Sequence, residues 1–168
     1  MDRLFVAVWP PAEVLDEICG LPRPVDAGVR WTRREHLHVT LRFLGAVDDA
    51  RVGELTDSLS DVSAEATIAR LGPAVRRLGA RVAMIPVAGV DELADVVGSA
   101  TAAFGDRRRP FVGHLTVARA RRAVPDCVLG ARMHAEFEVG RIALVRSRLT
   151  SDGPRYEDVV GVTLALHG

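Results

Sequence analysis

Residues 37–44 alternate between two kinds of side chain, and this alternation restricts them to a strand with two unlike faces. The apolar positions are Leu37, Val39, Leu41 and Phe43. The positions between them are mostly polar: His38, Thr40, Arg42 and Leu44. Because successive side chains of a strand point to opposite faces, the pattern predicts a half-buried strand whose apolar set, with Phe43 among it, packs into the core.

A short pattern within this strand occurs a second time in the chain. His38-Val39-Thr40-Leu41 is matched by His114-Leu115-Thr116-Val117, which falls in another predicted strand almost half the chain away. Residues two positions apart share one face of a strand, about 6.5–7 Å from each other. The repeat therefore predicts two similar lobes, each presenting an imidazole and a hydroxyl. These groups share one cleft if the two strands lie side by side.

Two imidazoles and two hydroxyls in one cleft suit phosphoryl chemistry that needs no metal. A neutral histidine can remove a proton from the attacking oxygen, and a protonated one can donate a proton to the leaving oxygen, because the ordinary pKa of histidine lies near neutrality. Threonine hydroxyls can donate hydrogen bonds to oxygens that gain charge in the transition state. The residues alone leave open which histidine is the acid and which is the base.

The rest of the chain is divided between short strands and three helices. The predicted strands cover residues 4–9, 29–33, 66–71, 81–87, 111–118, 137–149 and 156–166. The predicted helices cover residues 11–20, 48–59 and 90–104. This order favours an α+β fold with antiparallel sheets and helices packed outside. We expect a single domain over residues 1–168, because no linker is long enough to separate two units. The segment Arg121–Met133 is predicted to be irregular.

Charge and cysteine content exclude several classes of protein. Lys and Arg together number 22, as do Asp and Glu, whereas proteins that coat long nucleic acids usually carry a basic surplus. A nucleotide end held in a local cleft is compatible with this balance. Cys19 and Cys127 lack the spacing of zinc ligands. No apolar run reaches the ~18 residues of a membrane span, and the first residues are unlike a signal peptide. We therefore expect a cytoplasmic protein without a metal site.

Six segments of the sequence are similar to a known family: Arg3–Val8, Arg30–Trp31, Glu35–Gly45, His114–Arg119, Arg146–Leu149 and Gly153–Glu157. The chain resembles the 2H phosphoesterases over most of its length, and within them the RNA 2′,3′-cyclic phosphodiesterases, long labelled 2′-5′ RNA ligases. The resemblance implies a bilobal fold with antiparallel sheets flanking a central cleft. It also implies an enzyme without cofactor that hydrolyses 2′,3′-cyclic phosphate ends of RNA or short oligonucleotides to 2′-phosphates. No membrane or obligate protein partner is implied.

The same resemblance implies roles for five residues. His38 would donate a proton to the leaving 3′ oxygen, and His114 would accept a proton from the attacking water. Thr40 and Thr116 would hold the phosphate oxygens. Arg119, five residues after the second motif histidine, would also contact phosphate.

Arginines near the motifs leave alternatives open. In a regular strand Arg119 points away from the face of His114, because the two positions are an odd number of residues apart, and it reaches the cleft only if the strand ends or bulges there. Arg42 shares the predicted face of His38 but suits a solvated surface equally well.

Other candidates are assigned mostly outside the site. His36 is predicted at a strand edge, and His134 and His167 on the surface. Tyr156 suits either the core or the site. The basic segment Arg107–Arg109 is predicted to be a loop that is either solvated or guides the RNA backbone.

Three other functions stay open at this stage. The chain could join or open 2′-5′ linkages, because chemistry at a cyclic phosphate runs in both directions. It could act on a small cyclic nucleotide instead of RNA. It could also be a non-catalytic nucleotide-binding module, although two intact motif histidines argue against that, since acid–base catalysis needs both.

Overall fold

The computed structural model describes residues 2–105 and 109–166 of the chain. Its strands are β1 (Arg3–Val8), β2 (Val29–Trp31), β3 (Val39–Gly45), β4 (Thr67–Leu71), β5 (Arg76–Leu78), β6 (Val82–Ala88), β7 (His114–Ala120), β8 (Ala135–Val139), β9 (Arg141–Thr150) and β10 (Gly153–Thr163). Its α-helices are α1 (Ala12–Cys19), α2 (Val52–Ser60) and α3 (Asp91–Ala100). These elements confirm the α+β class.

The strands form one antiparallel sheet in which the two motif strands lie at the centre. The order across the sheet is β10-β9-β1-β3-β7-β6-β4-β8, while β2 pairs with β7 and β5 pairs with β6. The two copies of the repeated pattern therefore lie on adjacent strands, as the side-by-side arrangement requires. No helix in the described part of the chain is long and apolar enough to cross a membrane.

The helices cover one face of this sheet because each carries an apolar stripe. Val14 and Ile18, one turn apart in α1, are buried, as are Leu55 and Leu59 in α2. Leu93, Ala94 and Val97 of α3 join the same core. The helices therefore bury one side of the sheet and leave the other side available for a site.

The two faces of β1 show this division directly. Leu4, Val6 and Val8 pack into the large core beneath the helices. Phe5 and Ala7, which point the opposite way, belong to a separate small cluster with two residues of β9 and with Trp9 and Tyr156 at its edge. This second face carries the candidate site.

Most of the predicted elements are confirmed, and the differences are local. The predicted run 137–149 is two strands, β8 and β9, separated at Gly140, and the predicted helix 90–104 ends as an α-helix at Ala100. The short strand β5 was not predicted. The segment Arg121–Met133 is irregular apart from a 3₁₀ turn at Asp126–Val128 and bridging contacts, as expected.

Candidate active site

The centre of the site is a single residue pair between the two motif strands. Val39 of β3 lies opposite Leu115 of β7 in antiparallel register. Both side chains are fully buried, so the residues on either side of each point to the other face of the sheet. The register places His38 beside Thr116 and Thr40 beside His114, related by a local two-fold axis through the central pair.

A cavity of about 280 Å³ opens on this face. It is lined by all five residues of the predicted site: His38, Thr40, His114, Thr116 and Arg119. Its other walls are Arg3, Phe5, Thr32, His36, Phe43, Ser147 and Tyr156. None of the described residues that line it is an aspartate or a glutamate. A cavity with arginines and without carboxylates favours an anion, although the formal net charge of the chain is zero.

Both motif histidines are held through the same ring nitrogen. His38 Nδ1 donates to the carbonyl oxygen of His36 at 2.6 Å, and His114 Nδ1 donates to the carbonyl oxygen of Val112 at 2.7 Å. A carbonyl oxygen only accepts, so each Nδ1 carries the proton and Nε2 is left for chemistry. In its neutral form His38 Nε2 accepts a hydrogen bond from Thr40 Oγ1 at 3.0 Å.

Three aromatic rings surround the imidazole of His38. The ring centroids lie 4.9 Å from Phe5, 5.5 Å from Trp9 and 5.5 Å from Tyr156. The Trp9 and Tyr156 rings meet it edge to face. This packing fixes the plane of the imidazole, while the side of the ring toward the cavity stays partly exposed.

The same packing makes His38 a weak base in the free protein. Burial lowers the pKa of His38 to about 4; the hydrogen bond to the His36 carbonyl acts in the opposite direction, and the positive charges of His36, His114 and Arg119 lower the pKa further. His38 is therefore neutral at neutral pH unless a bound anion changes its surroundings.

A β-bulge brings Arg119 into the cavity. Across β6 and β7, Ala83 is opposite Ala118 and Met84 is opposite Thr116, so Val117 is an extra residue without a partner. The bulge reverses the alternation of side chains beyond it. Arg119 consequently shares the face of Thr116, although a regular strand would point it away.

A second bulge overturns two predictions in β3. Val6 is opposite Arg42 and Ala7 is opposite Thr40, which leaves Leu41 as the extra residue. Beyond it Arg42 turns inward, is only 6% exposed and donates to the Gly105 carbonyl. Phe43 turns to the cavity and is 61% exposed. The predictions that Phe43 packs into the core and that Arg42 shares the face of His38 are therefore wrong.

Two further residues line the cavity although the sequence had not assigned them to the site. His36 lies in a 3₁₀ turn, Arg34–His36, just before β3, and its ring centroid is 4.6 Å from that of Tyr156. Tyr156, left open between core and site, lines the cavity. Sequence reasoning missed Arg3 and Ser147, because no local pattern links them to the motifs.

The remaining candidates are outside the cavity or outside the described residues. His134 is exposed and lies outside the cavity. Arg107, Arg108 and His167 fall outside the described residues, and Arg109 is exposed. Within the described ranges, no group of three or more His, Cys, Asp or Glu side chains is arranged to hold a metal ion.

Comparison with known proteins points to one family. The family model described as LigT like Phosphoesterase matches residues 8–82, which include His38 and Thr40. A protein of Archaeoglobus fulgidus named RNA 2′,3′-cyclic phosphodiesterase is 30% identical over 171 residues, covering 94% of this chain and 97% of the relative. One of Methanocaldococcus jannaschii with the same name is 28% identical, covering 92% of this chain and 96% of the relative.

A solved structure agrees with the sequence comparisons over the whole fold. The crystal structure of E. coli LigT complexed with NADP⁺ superposes with a TM-score of 0.83 at 28% identity, covering 98% of each chain. This chain and E. coli LigT therefore share one fold over nearly their full length.

Proposed function

Because this chain belongs to the LigT-like phosphoesterase family, we propose that it hydrolyses the 2′,3′-cyclic phosphate ends of RNA to 2′-phosphomonoesters. The observation that carries the proposal is the pairing of Val39 with Leu115, which sets two histidines and two threonines around one cavity. The curated relatives named above bear the corresponding name, and the cavity has the cationic lining that a phosphate requires.

The proposed reaction uses the Nε2 atoms of the two histidines, because each Nδ1 is hydrogen-bonded to a backbone carbonyl. His114 Nε2 takes a proton from water as the water oxygen attacks phosphorus. The bond between phosphorus and the 3′ oxygen then breaks, and protonated His38 Nε2 donates its proton to that oxygen. Acid and base lie on different strands and can flank the phosphorus, as in-line displacement requires. The product carries a 2′-phosphate and a 3′ hydroxyl.

The other site residues stabilise the charge on the phosphate. Thr40 and Thr116 donate hydrogen bonds to its oxygens, and Arg119 supplies a positive charge. For His38 to act as the acid, it must take up a proton before the reaction. A bound phosphate anion favours the imidazolium form and raises the pKa of His38 from its low value in the free protein.

The local two-fold axis also supports a proposal about domain organisation. We propose a single domain of two pseudo-symmetric lobes, one contributing β3 and the other β7, with the site at their junction. The expectations of a cytoplasmic location and of activity without a metal or cofactor stay predictions.

The decisive experiment is hydrolysis of a short RNA that ends in a 2′,3′-cyclic phosphate, with EDTA present and without ATP. We expect a 2′-phosphate product, resolved from the 3′-phosphate. We also expect a loss of roughly 10²–10⁴-fold in turnover in His38→Ala and His114→Ala. The matched control is His134→Ala, which removes an exposed histidine outside the cavity and should leave turnover unchanged.

Other outcomes would select another function. Joining of an RNA 2′,3′-cyclic phosphate to a 5′ hydroxyl would favour the 2′-5′ ligase. Turnover of a nucleoside cyclic phosphate alone would favour a small-nucleotide phosphodiesterase. Binding without any turnover by the wild type would favour a nucleotide-binding module.

A further inference from the structure

Three residues on neighbouring strands form a row in the cavity wall that the proposed reaction leaves unused. Arg3 of β1 is opposite Ser147 of β9, and Ser147 is opposite Tyr156 of β10. All three line the cavity that contains both motif histidines. The row adds one guanidinium and two hydroxyls to the site.

These polar groups are not engaged elsewhere among the described residues. Arg3 is exposed and forms no ion pair with any of them, whereas Arg148 on the same sheet pairs with Asp2 at 3.1 Å. Ser147 Oγ and Tyr156 Oη likewise make no hydrogen bond within this part of the chain. All three groups are therefore available to a ligand.

Tyr156 is held firmly enough to act as a fixed donor. Its ring centroid lies 5.2 Å from that of Phe5 and 4.6 Å from that of His36. Burial raises the pKa of Tyr156, against the opposing effect of the Arg119 charge. The hydroxyl therefore keeps its proton at neutral pH and can donate a hydrogen bond.

The position of Arg3 separates it from the phosphate that the motif residues would hold. Thr40 is opposite Ala7 on β1. Arg3 precedes Ala7 by four residues, so their Cα atoms are about 13 Å apart at ~3.3 Å per residue. An arginine side chain covers only part of this distance. Arg3 is thus placed for a second anionic group, separated from the first by about one nucleoside.

We propose that Arg3 and Ser147, with Tyr156 at the border toward His38, whose ring centroid lies 5.5 Å from that of Tyr156, form a subsite for a second phosphate, the one attached to the 5′ oxygen of the nucleotide that carries the cyclic phosphate. The proposal rests on the proposed function and names a further part of the substrate. A guanidinium binds two oxygens of a phosphate through paired N–H groups, and the two hydroxyls supply further donors. A 5′-phosphate monoester and an internucleotide phosphodiester both present this group.

The kinetic test compares four substrates that differ only at the 5′ oxygen. They are adenosine 2′,3′-cyclic phosphate, its 5′-phosphorylated form, a dinucleotide ending in the cyclic phosphate, and the same dinucleotide with an uncharged methylphosphonate linkage. We expect kcat/KM of the wild type to be about 10- to 100-fold higher for a substrate with a charged 5′-linked phosphate, the range of one charge-assisted hydrogen bond. A higher kcat/KM for the 5′-phosphorylated nucleotide or for the dinucleotide shows whether the subsite binds a phosphate monoester or an internucleotide phosphodiester.

The variant Arg3→Gln should abolish most of this preference, measured as the ratio of kcat/KM values. Arg76→Gln, which changes an exposed arginine of β5 outside the cavity, should retain it. Equal kcat/KM of the wild type for the charged and methylphosphonate dinucleotides would overturn the proposal. An equal loss on all four substrates in Arg3→Gln would overturn it as well.

A binding measurement separates this subsite from the proposed reaction. Adenosine 2′,5′-bisphosphate and adenosine 2′-monophosphate are titrated calorimetrically into the wild type and into Arg3→Gln. The subsite is supported if the wild type binds the bisphosphate more tightly than the monophosphate and Arg3→Gln loses this difference. This result would support the subsite even if no substrate were hydrolysed, in which case only the proposed function would fail. Equal affinities of the wild type for the two ligands exclude the subsite.

Discussion

Phe43 and Arg119 occupy equivalent positions in the two halves of the site. Each follows its motif histidine by five residues, and each reaches the cavity because a one-residue bulge intervenes, at Leu41 in β3 and at Val117 in β7. Since β3 and β7 run antiparallel, the two positions lie toward opposite ends of the cavity. The two-fold framework therefore carries an aromatic ring at one of these positions and a guanidinium at the other, which allows an unsymmetrical substrate to bind in a single direction.

The first prediction concerns Phe43. Its exposed ring on the cavity suits stacking on a base, an interaction worth about 1–3 kcal/mol. Phe43→Ala should therefore raise KM about 5- to 100-fold and change the free energy of unfolding by little. The matched control is Phe137→Ala, which truncates a buried ring and should cost about 3–5 kcal/mol of stability. Steady-state kinetics and urea unfolding check both. A large loss of stability in Phe43→Ala would restore the core assignment.

The sequence predicted the motif pairs because they depend on local alternation alone. His38 with Thr40, and His114 with Thr116, each share a face for as long as the strand stays regular across three residues. A bulge leaves no such trace, because Leu41 and Val117 are apolar whether or not they have a partner across the sheet. The register of β3 against β1, and of β7 against β6, decides which side Phe43 faces.

Long-range pairing explains the other residues that the sequence could not assign. Arg3 and Tyr156 come together only because β1, β9 and β10 are neighbours in the sheet, and nothing in either residue's surroundings in the chain encodes that order. Gly140 similarly separates two strands inside one apolar run. The fold class could be predicted from the order of helices and strands along the chain. The residues that line the cavity could not, because they depend on which strands are neighbours in the sheet.

The second prediction concerns the two hydroxyls. Thr40→Val and Thr116→Val keep the shape of each side chain and remove the donor. Each should lower kcat about 10- to 1,000-fold, the range for a donor that stabilises transition-state charge, with a smaller effect on KM. The control Thr32→Val changes another threonine that lines the cavity but belongs to neither motif, and should keep kcat within a few-fold. A rise in KM at constant kcat would assign the motif threonines to ground-state binding only.

The third prediction links His38 to stability. Its pKa is about 4 in the folded protein and about 6.5 when unfolded, so between these values the unfolded chain binds more protons. The free energy of unfolding should therefore be highest above pH 6.5 and fall by about 1–3 kcal/mol as the pH drops from 6.5 to 4. His38→Gln should lose less stability over that window, while His134→Gln should match the wild type. Urea unfolding at pH 7 and pH 4.5 measures the difference, and identical pH dependence in all three proteins would contradict the low pKa.

The fourth prediction tests the proton uptake that the proposed mechanism requires. In the free protein the NMR signals of the His38 ring should titrate near pH 4, and His38→Gln identifies them by their absence. Adenosine 2′-monophosphate should raise the midpoint by more than about one pH unit, because its negative charge favours the imidazolium. Arg119→Gln should raise the midpoint without ligand, because it removes a positive charge that lowers the pKa.

The direction of that shift also decides the roles of the two histidines. A midpoint that rises on binding gives His38 the proton that it must donate to the leaving 3′ oxygen, and leaves His114 as the base. A midpoint that stays near pH 4 with ligand bound would keep His38 neutral at the pH of turnover. The same geometry would then work in the opposite sense, with His38 Nε2 removing the proton from water and His114 Nε2 donating one, since the local two-fold axis relates the two positions.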